Sequence, residues 1–312
     1  MVQLQEFDDF KAPRRRPWLL LIVLVLIGGV FWFRARKRAE VEGPVRERPV
    51  PEETAEGAEP VDELDAAVSD MDVSALLSEA RGREQAGDLA AARETYLRAL
   101  RGIRDERVRR EVQERIGRIG IALVMTPRPM PEKVDYIVKR GDFVGKIARD
   151  FGTTVDLIQK SNNIPNPNLI KEGDRLRILQ GTFRVLVSKK RNEMLVFLND
   201  QFFKRYEVGT GKYGRTPTGT FKITQRSAEP VWWRPDGKEV PFGDPENILG
   251  TRWMTLRATG DTEDVRGYGI HGTWEPGSIG KAESAGCIRM RNEDVEELYS
   301  LIPNGTMVEI VE

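Results

Sequence analysis

The feature that most constrains this chain is a run of residues without any charge, PWLLLIVLVLIGGVFWF at positions 17–33. A run of this length is at the short end of what spans a bilayer as a helix. A cleaved signal peptide is the alternative, but no pattern of small residues for cleavage follows Phe33. Trp18 and Trp32 lie near the two ends, where interfacial aromatic residues belong. We therefore predict an uncleaved single-pass anchor at 17–33.

The charges beside this segment do not set its orientation. Basic residues flank it equally on both sides, so the positive-inside rule gives a tie. They are Lys11, Arg14, Arg15 and Arg16 before the segment, and Arg34, Arg36, Lys37 and Arg38 after it. The side on which the rest of the chain lies has to be inferred from its function.

Composition excludes several classes of protein. Lys and Arg together number 49, as do Asp and Glu, so no basic excess points to a nucleic-acid partner. The single cysteine excludes an intramolecular disulfide framework, and the single histidine excludes a metal site with several histidine ligands. We therefore expect no metal and no cofactor. With 39% hydrophobic and 31% charged residues, most of the chain is typical of soluble globular domains.

Two stretches have the composition of linkers. Residues 40–72 carry many acidic residues, four prolines and no aromatic residue. Such a segment cannot bury enough apolar surface to fold, so we predict an extended acidic linker over 39–72. Residues 125–133 carry three prolines and form a second linker.

Between the linkers, residues 73–124 have the period of amphipathic helices. Gly87 and Asp88 interrupt the pattern, and Asp88 is suited to cap the helix that follows. Residues 87–99 resemble the second half of a tetratricopeptide repeat, but one such unit cannot bury the core of a repeat protein. We predict a small helical hairpin or bundle that could serve as a partner surface. A plain helical stalk is the alternative.

Residues 135–179 are predicted to form a compact β-α-α-β unit. A strand over 135–139 precedes two short helices, and a strand over 175–178 closes the unit. This order resembles the LysM domain, to which we assign residues 134–180. The matching residues are Tyr136, Val138, Gly141, Asp142, Ile147, Ala148, Phe151, Gly152, Val155, Leu157, Ile158, Asn162, Asn163, Ile170, Gly173, Asp174, Leu176 and Ile178.

The LysM resemblance implies binding of N-acetylglucosamine glycans such as peptidoglycan or chitin. In that family the sugar groove lies between the loop after the first strand and the loop before the second, here 141–144 and 164–168. Phe143 stands where the family often has threonine. The candidate glycan contacts are Gly141, Asp142, Phe143, Ile164 and Asn166.

The C-terminal part of the chain is rich in predicted strands. Residues 183–188, 193–198 and 202–209 are short runs of β-branched and aromatic residues. Asn199 and Asp200 are typical of a tight hairpin turn. The pattern therefore predicts a mainly-β domain.

His271 and Cys287 are the only residues of their types. Nucleophilic acyl transfer needs a thiolate, a base that forms it, and backbone donors for the oxyanion. Cys287 directly follows Gly286, and a glycine in a tight turn can leave the sulfur and nearby N–H groups accessible. On these facts alone, a small buried cysteine and a structural histidine remain the more common reading.

Further motifs extend the pattern around this pair. Residues 182–311 resemble the YkuD-type L,D-transpeptidase catalytic domain, a β-rich cysteine acyltransferase of the bacterial cell wall. The motifs follow the order of the family, and a LysM domain directly before it is a known pairing. The residues that carry the resemblance are Thr216, Pro217, Gly219, Phe221, Gly250, Arg252, Trp253, 268–273 (YGIHGT), Ser278, Ile279, Gly280, Ser284 and 286–290.

The resemblance implies roles for individual residues. Cys287 would be the nucleophile with a depressed thiol pKa, His271 the general base, and Gly272 the residue whose carbonyl holds the imidazole. The backbone N–H groups of Gly286 and Cys287 would form the oxyanion hole. Ser284 is expected to be a turn residue. The expected substrate contacts are Arg289, Tyr268 and Trp253, with Trp232 and Trp233 as further candidates.

One position departs from the family pattern. Many members carry a second histidine immediately before the motif glycine, and here that residue is Ala285. The upstream base, His271, is present. The departure bears on the rate and on the pKa of Cys287 more than on the type of reaction.

The resemblance predicts a peptidoglycan L,D-transpeptidase that forms an acyl-enzyme on Cys287 and transfers it to an amine. The alternatives are an L,D-carboxypeptidase that uses water, and a LysM wall-binding protein with weak or no catalysis. An extracellular substrate places the N-terminus in the cytoplasm and the catalytic domain outside, on the periplasmic or cell-wall side of the bacterial membrane.

The chain is therefore predicted to be multidomain, with a transmembrane helix, a small all-α segment, a LysM domain and a mainly-β catalytic domain. The predicted divisions are 1–16, a cytoplasmic N-terminus; 17–33, the anchor; 39–72, the acidic linker; 73–124, the helical segment; 125–133, the proline-rich linker; 134–180, the LysM domain; and 182–312, the catalytic domain.

Overall fold

The computed structural model of the chain describes residues 70–312. The predicted cytoplasmic N-terminus (1–16), the anchor (17–33) and nearly all of the acidic linker (39–72) lie outside the described residues. Among residues 70–312, no helix is both long enough and apolar enough to cross a membrane. The first helix begins at Asp70, so the last residues assigned to the linker are helical.

Three helices follow one another in the N-terminal part of the described chain, which confirms the helical prediction. They are α1 (Asp70–Gln85), α2 (Leu89–Gly102) and α3 (Glu106–Val124). As predicted, the Asp88 side chain caps α2 by accepting the N–H of Ala91. Glu84 of α1 accepts a hydrogen bond from Tyr96 of α2 at 2.8 Å and pairs with Arg115 of α3 at 3.3 Å. One carboxylate therefore ties all three helices together.

The next unit has the predicted β-α-α-β order. Strands β1 (Lys133–Ile137) and β2 (Arg175–Leu179) pair antiparallel, and helices α4 (Val144–Asp150) and α5 (Val155–Asn162) lie between them in sequence. Thr154 caps α5 by accepting the N–H of Leu157. The helices and strands enclose a small apolar core of their own.

The remaining chain is built on one large sheet. Its elements are β3 (Phe183–Ser188), β4 (Glu193–Leu198), β5 (Gln201–Glu207), β6 (Thr210–Gly211), β7 (Gly219–Ala228), β8 (Trp232–Trp233), β9 (Glu239–Val240), β10 (Arg252–Ala258), β11 (Gly269–His271), β12 (Ala282–Ser284), β13 (Ile288–Arg289), α6 (Asn292–Leu301) and β14 (Met307–Val311). Eight strands form the sheet in the order β13-β11-β10-β7-β14-β3-β4-β5. The β11–β13 and β14–β3 pairs are parallel, and the other pairs in this sheet are antiparallel.

The first hairpin of this sheet confirms a sequence prediction. Asn199 and Asp200 join β4 to β5 with φ angles of 50° and 60°. Left-handed conformations at both residues are typical of the two-residue turn that matches the twist of a β-hairpin. The mainly-β prediction for this domain is confirmed.

The helical segment packs on the sheet rather than standing apart as a stalk. Gly120 of α3 lies against Phe203 of β5, and a Cβ there would come within 2.9 Å of the Phe203 ring. Arg93 of α2 lies over the same ring and pairs with Glu132 at 3.1 Å. Buried residues of the helices and of the sheet belong to one apolar core. The helices therefore cover the end of the sheet formed by β5.

The β-α-α-β unit is also fixed to the sheet domain. The hydroxyl of Thr154 donates to the backbone carbonyl of Ser300 in α6, and Lys160 donates to the Ser300 hydroxyl at 2.7 Å. Leu157 of α5 belongs to the large apolar core that contains the sheet. These contacts hold α5 against α6.

We expect the helical segment to contribute to the stability of the sheet domain through Phe203. The ring is fully buried between Gly120, Arg93 and Phe183. Phe203→Ala should lower the free energy of unfolding by about 3–5 kcal/mol, because the cavity cannot close fully. The measurement is denaturant unfolding of the full chain.

Phe143→Ala is the matched control, because Phe143 is 53% exposed. It should change the free energy of unfolding by no more than about 0.5 kcal/mol. Equal effects of the two substitutions would contradict the packing assigned to Phe203.

Candidate active site

Two short parallel strands bring the predicted pair together. His271 ends β11 and is the register partner of Arg289 in β13, while Ile270 is the partner of Ile288. Cys287 immediately precedes β13. The N–H of Met290 donates to the carbonyl of His271 at 2.8 Å and continues the pairing. The residues between the two strands form a loop that returns the cysteine to the histidine.

Cys287 and His271 line one cavity of about 820 Å³, which we call the Cys287 cavity. Its walls include three of the predicted aromatic residues, Trp232, Trp233 and Trp253. Trp233 is 66% exposed and stands at the opening. The other lining residues are Gln225, Ser227, Ala228, Glu229, Pro230, Val231, Pro235, Ile248, Leu249, Gly267, Ser284, Ala285 and Arg289.

The His271 imidazole is buried and held in one orientation. Its Nδ1 lies 2.6 Å from the carbonyl oxygen of Gly272, as the resemblance implied. Because a carbonyl only accepts, Nδ1 carries the proton and Nε2 is left as an acceptor. The ring stacks on Trp253 with 5.7 Å between the centroids.

Burial keeps this imidazole neutral. Desolvation lowers the pKa of His271 to about 4, and the positive charge of Arg289 acts in the same direction. The carbonyls of Gly272 and Leu249 oppose the shift but do not overcome it. At neutral pH, His271 can therefore accept a proton.

The Cys287 thiol is held by the segment that leads into β11. Its Sγ lies 3.7 Å from the carbonyl oxygen of Gly267. Burial raises the pKa of the thiol, although the N–H of Gly269 and the charge of Arg289 favour the thiolate. The predicted depression of this pKa is therefore wrong, because desolvation outweighs the nearby donor and cation. The resting pair is a thiol and a neutral imidazole.

The turn before the cysteine requires glycine and is fixed by Ser284. Gly286 has a φ of +143°, and a Cβ there would lie 2.6 Å from the ring of Tyr268. The Ser284 hydroxyl accepts the N–H of Gly286 at 3.0 Å and donates to the carbonyl of Cys287 at 2.7 Å. These two hydrogen bonds agree with the expectation that Ser284 is a turn residue.

The same hydrogen bonds alter the predicted oxyanion hole. Its two donors were the N–H groups of Gly286 and Cys287. The Gly286 N–H is engaged by Ser284, so it is not available to a substrate oxygen in this conformation. Of the two predicted donors, only the N–H of Cys287 is left unaffected by this hydrogen bond.

Thr216 supports the turn from the opposite side. Its hydroxyl accepts the N–H of Gly211 at 2.7 Å and donates to the carbonyl of Gly286 at 2.8 Å. The side chain is fully buried. Sequence reasoning selected Thr216 only as part of a motif, and the structure assigns it to the support of the cysteine turn.

The predicted substrate contacts divide into two groups. Arg289 and Trp253 line the Cys287 cavity. Arg289 also pairs with Glu275 at 3.3 Å. Tyr268 instead packs beneath Gly286, which makes it a support of the turn. Ala285 is exposed at the cavity, so the missing histidine leaves an open position beside the sulfur.

The predicted glycan contacts are also unequal. The Asp142 side chain is shielded from solvent and accepts hydrogen bonds from Tyr136, from Lys146 and from the N–H of Lys139. These partners hold the pKa of its carboxyl well below its usual range, so Asp142 stabilises the loop. Gly141, with a φ of +83°, forms the turn. Phe143, Ile164 and Asn166 retain partly or largely exposed side chains.

Residues 70–312 contain no group of three or more histidine, cysteine, aspartate or glutamate side chains arranged to hold a metal ion.

Two family models match the chain in the order described above. The L,D-transpeptidase catalytic domain, YkuD, matches residues 182–310, and the LysM domain matches residues 136–179. The first match contains both His271 and Cys287.

Curated relatives point to the same family. The chain is 42% identical over 135 residues to YqjB of Bacillus subtilis, which is named as an L,D-transpeptidase, and this covers 43% of the chain and 74% of the relative. It is 36% identical over 183 residues to YkuD of Bacillus licheniformis, which carries the same kind of name. That alignment covers 56% of the chain and 97% of the relative, so it extends beyond the catalytic domain.

We expect the burial of His271 to make folding stability dependent on pH. The unfolded imidazole has a pKa of 6.5 and the folded one about 4, so the unfolded state binds more protons between these values. The stabilisation is complete above pH 6.5 and is lost as the pH falls through 4. The difference between the two pKa values corresponds to a change of about 3 kcal/mol in the free energy of unfolding.

Unfolding measured across this pH range for wild type and His271→Gln isolates the effect. The substitution should remove this part of the pH dependence, while the other titrating groups contribute equally to both proteins. Identical pH dependence in the two proteins would contradict a neutral, buried His271.

Proposed function

The chain belongs to the YkuD family of L,D-transpeptidases, which are cysteine-dependent acyltransferases, and from this membership we propose how its residues divide the reaction. Cys287 is the nucleophile and His271 is the general base. The substrate is a peptidoglycan stem peptide, and the acyl group passes to an amine. This reaction crosslinks or remodels the cell wall.

The observation that carries the proposal is that a neutral His271, with its Nδ1 bound to a carbonyl, lines the same cavity as Cys287. Nδ1 is engaged by Gly272, which leaves Nε2 as the proton acceptor. The lowered pKa keeps that nitrogen unprotonated at neutral pH. An unprotonated Nε2 is free to accept the thiol proton, but a base of such low pKa cannot form the thiolate in advance, so the proton has to move as the sulfur attacks.

Acylation begins with a thiol rather than with a preformed thiolate. As Sγ attacks the carbonyl carbon of the third stem residue, the thiol proton passes to Nε2 of His271. The tetrahedral intermediate then collapses, the C–N bond breaks, and the imidazolium returns its proton to the leaving amine of the terminal D-amino acid. The product is a thioester on Cys287 with His271 neutral again.

Positive charge in the cavity supports the charged steps. Arg289 lies close enough to Cys287 to favour the thiolate electrostatically. The backbone N–H of Cys287 is suited to stabilise the oxyanion, and Arg289 is suited to contact a substrate carboxylate. These two groups assist the step in which negative charge develops.

Deacylation repeats the proton transfers in the opposite sense. An amine on a neighbouring stem attacks the thioester, His271 takes its proton, and the thiol of Cys287 is regenerated. This transfer forms a crosslink between two third residues. Water as acceptor would give an L,D-carboxypeptidase, and a protein lysine would give an attachment enzyme.

The LysM domain gives the enzyme a second contact with the same polymer. We propose that its loops bind the glycan, with Gly141, Phe143, Ile164 and Asn166 as the predicted contacts that are accessible in the described structure. Binding the glycan and the stem peptide together raises the effective concentration of the stem at the Cys287 cavity.

We expect the full chain to release the terminal D-amino acid from tetrapeptide muropeptides and to form one covalent adduct with a carbapenem. The strained carbonyl of a carbapenem offers the same sulfur an electrophile. Cys287→Ser should abolish both, since a hydroxyl is far harder to deprotonate than a thiol. His271→Ala should slow acylation roughly 10²–10⁴-fold. Mass spectrometry of the products and of the Cys287 peptide is the measurement.

Lys281→Ala, on the exposed surface of the loop between His271 and Cys287, is the control and should behave as wild type. An adduct that survives Cys287→Ser would contradict the nucleophile. A folded wild type that forms neither product nor adduct would favour a wall-binding LysM protein without catalysis. Dimers among the muropeptide products would favour transfer to an amine over hydrolysis.

We propose that the uncharged run at 17–33 anchors the protein in the bacterial cytoplasmic membrane, with the catalytic domain on the periplasmic or cell-wall side. The support is the length of the run, its flanking aromatic residues and the extracellular location of peptidoglycan. A short cytoplasmic N-terminus, residues 1–16, and the acidic spacer, which ends where the first helix begins at Asp70, complete this arrangement.

Protease added to spheroplasts should remove the LysM and catalytic domains from membrane-bound protein. The reason is that both domains lie outside the membrane in this topology. Immunoblotting with an antibody against the catalytic domain is the measurement, and a cytoplasmic protein serves as the protected control. Protection of the catalytic domain in intact spheroplasts would refute the orientation.

A further inference from the structure

The residue whose carbonyl orients the His271 imidazole, Gly272, is packed against a side chain outside the Cys287 cavity. The Gly272 carbonyl accepts the Nδ1–H of His271 at 2.6 Å. The direction of that carbonyl determines which ring nitrogen carries the proton. Whatever fixes the peptide between Gly272 and Thr273 therefore fixes the tautomer of His271.

Asn292, the first residue of α6, contacts this peptide closely. A Cβ on Gly272 would come within 2.2 Å of Asn292 Oδ1, so the amide oxygen occupies the space that a larger residue would fill. The same oxygen accepts the N–H of Thr251 at 3.2 Å, which fixes its position. The Asn292 side chain therefore connects the start of α6, the β10 side of the site and Gly272.

Gly250 also packs closely against the Gly272–Thr273 peptide and against Asn292. It has a φ of +62°, and a Cβ there would lie 2.5 Å from the carbonyl carbon of Gly272 and 2.6 Å from the nitrogen of Thr273. A Cβ on Gly250 would also meet Asn292 Oδ1 at 2.3 Å. Gly250 and Asn292 thus confine the Gly272–Thr273 peptide, and the N–H of Gly272 is bonded to the carbonyl of Arg252 at 3.2 Å.

From these contacts we infer that Asn292 is a positioning residue for acyl transfer, which acts on His271 through the Gly272 carbonyl. Asn292 does not belong to the described residues that line the Cys287 cavity, so it does not contact the substrate there. Its role is to keep Nδ1 protonated and Nε2 directed as an acceptor. The inference rests on the proposed role of His271 as the base.

The test uses the fact that His271 is the only histidine in the chain. Its imidazole nitrogen signals in the NMR spectrum therefore need no assignment and report the tautomer directly. The wild type should show the Nδ1–H form at neutral pH. Asn292→Ala should show a mixture of tautomers and should slow carbapenem acylation roughly 10- to 100-fold, by analogy with the loss of outer partners that orient metal-ligating histidines. KM should stay within about twofold, because the cavity lining is unchanged.

Asn292→Asp is the conservative variant. It keeps an oxygen that accepts the Thr251 N–H, so it should retain the Nδ1–H tautomer. It also adds a negative charge near the imidazole, which should raise the pKa of His271 above the wild-type value. The acid limb of the acylation rate should shift to higher pH accordingly. The added charge would move this midpoint whatever the role of Asn292, so the readouts that separate a positioning role from a structural one are the tautomer and the rate at neutral pH, which should be kept in Asn292→Asp and lost in Asn292→Ala.

Two further variants complete the design. Glu293→Gln changes the exposed neighbour on the same helical turn and should leave tautomer, rate and pH profile at wild-type values. Gly272→Ala should impair acylation because its Cβ meets Asn292. Adding Asn292→Ala removes that contact, so the double variant should lose less than the product of the two single effects.

Wild-type tautomer and rate in Asn292→Ala would overturn the inference, as would an unmoved pH midpoint in Asn292→Asp. Should Asn292→Ala fail to fold, Asn292→Ser replaces it: without the amide oxygen that contacts Gly272 it should lose the single tautomer and the rate, and wild-type values in it would overturn the inference. A wild type that forms no adduct would refute the proposed function instead, and the NMR tautomers and the pKa of His271 would still decide whether Asn292 holds the imidazole.

Discussion

The reaction centre depends on the parallel pairing of two very short strands, β11 and β13. This pairing sets His271 and Arg289 side by side and leaves Cys287 at the entrance to the second strand. Strands of three and two residues supply few backbone hydrogen bonds of their own. Side chains from elsewhere in the fold provide the missing rigidity. Ser284 and Thr216 bind the cysteine turn, while Asn292 packs against the histidine side.

Burial rather than ion pairing determines the protonation of the centre. Arg289 disfavours an imidazolium and favours a thiolate, but desolvation is the larger influence on both His271 and Cys287. A neutral thiol and a neutral imidazole are only weakly hydrated, so little hydration free energy is lost when the substrate enters. In the proposed reaction the thiol proton moves only as the sulfur attacks, so His271 would act during bond formation. The open position at Ala285 leaves this task to a single imidazole.

The sequence was sufficient to predict the identity of the pair but not its environment. His271 and Cys287 stand out because each is unique and lies within a recognisable motif. The direction of the thiol pKa could not be predicted, since it depends on how far three-dimensional packing removes water from the sulfur. The engagement of the Gly286 N–H depends on the rotamer of Ser284, which no spacing reveals. Asn292 gave no signal because its contact with Gly272 is tertiary.

The organisation of the chain was likewise predicted in part. Hydrophobic period and capping residues located the helices between 73 and 124, because these signals are local. The packing of α3 on Phe203 was not predicted, since glycines such as Gly120 appear in sequence as weak helix formers rather than as contact points. The same limitation applies to α5, whose Leu157 matches the LysM pattern yet packs into the core of the sheet domain.

Helix α6 shows why these tertiary contacts matter for function. Its first residue, Asn292, packs against Gly272, and near its other end Ser300 accepts hydrogen bonds from Thr154 and Lys160 of the LysM domain. A helix of ten residues is about 15 Å long and does not bend easily over that distance. The LysM domain is therefore docked on the same rigid helix whose first residue packs against Gly272, the residue that holds the His271 imidazole. The LysM domain and Cys287 are therefore held in a fixed relation, so that, under the proposed function, a glycan bound by the LysM loops would limit which stem peptides can reach Cys287.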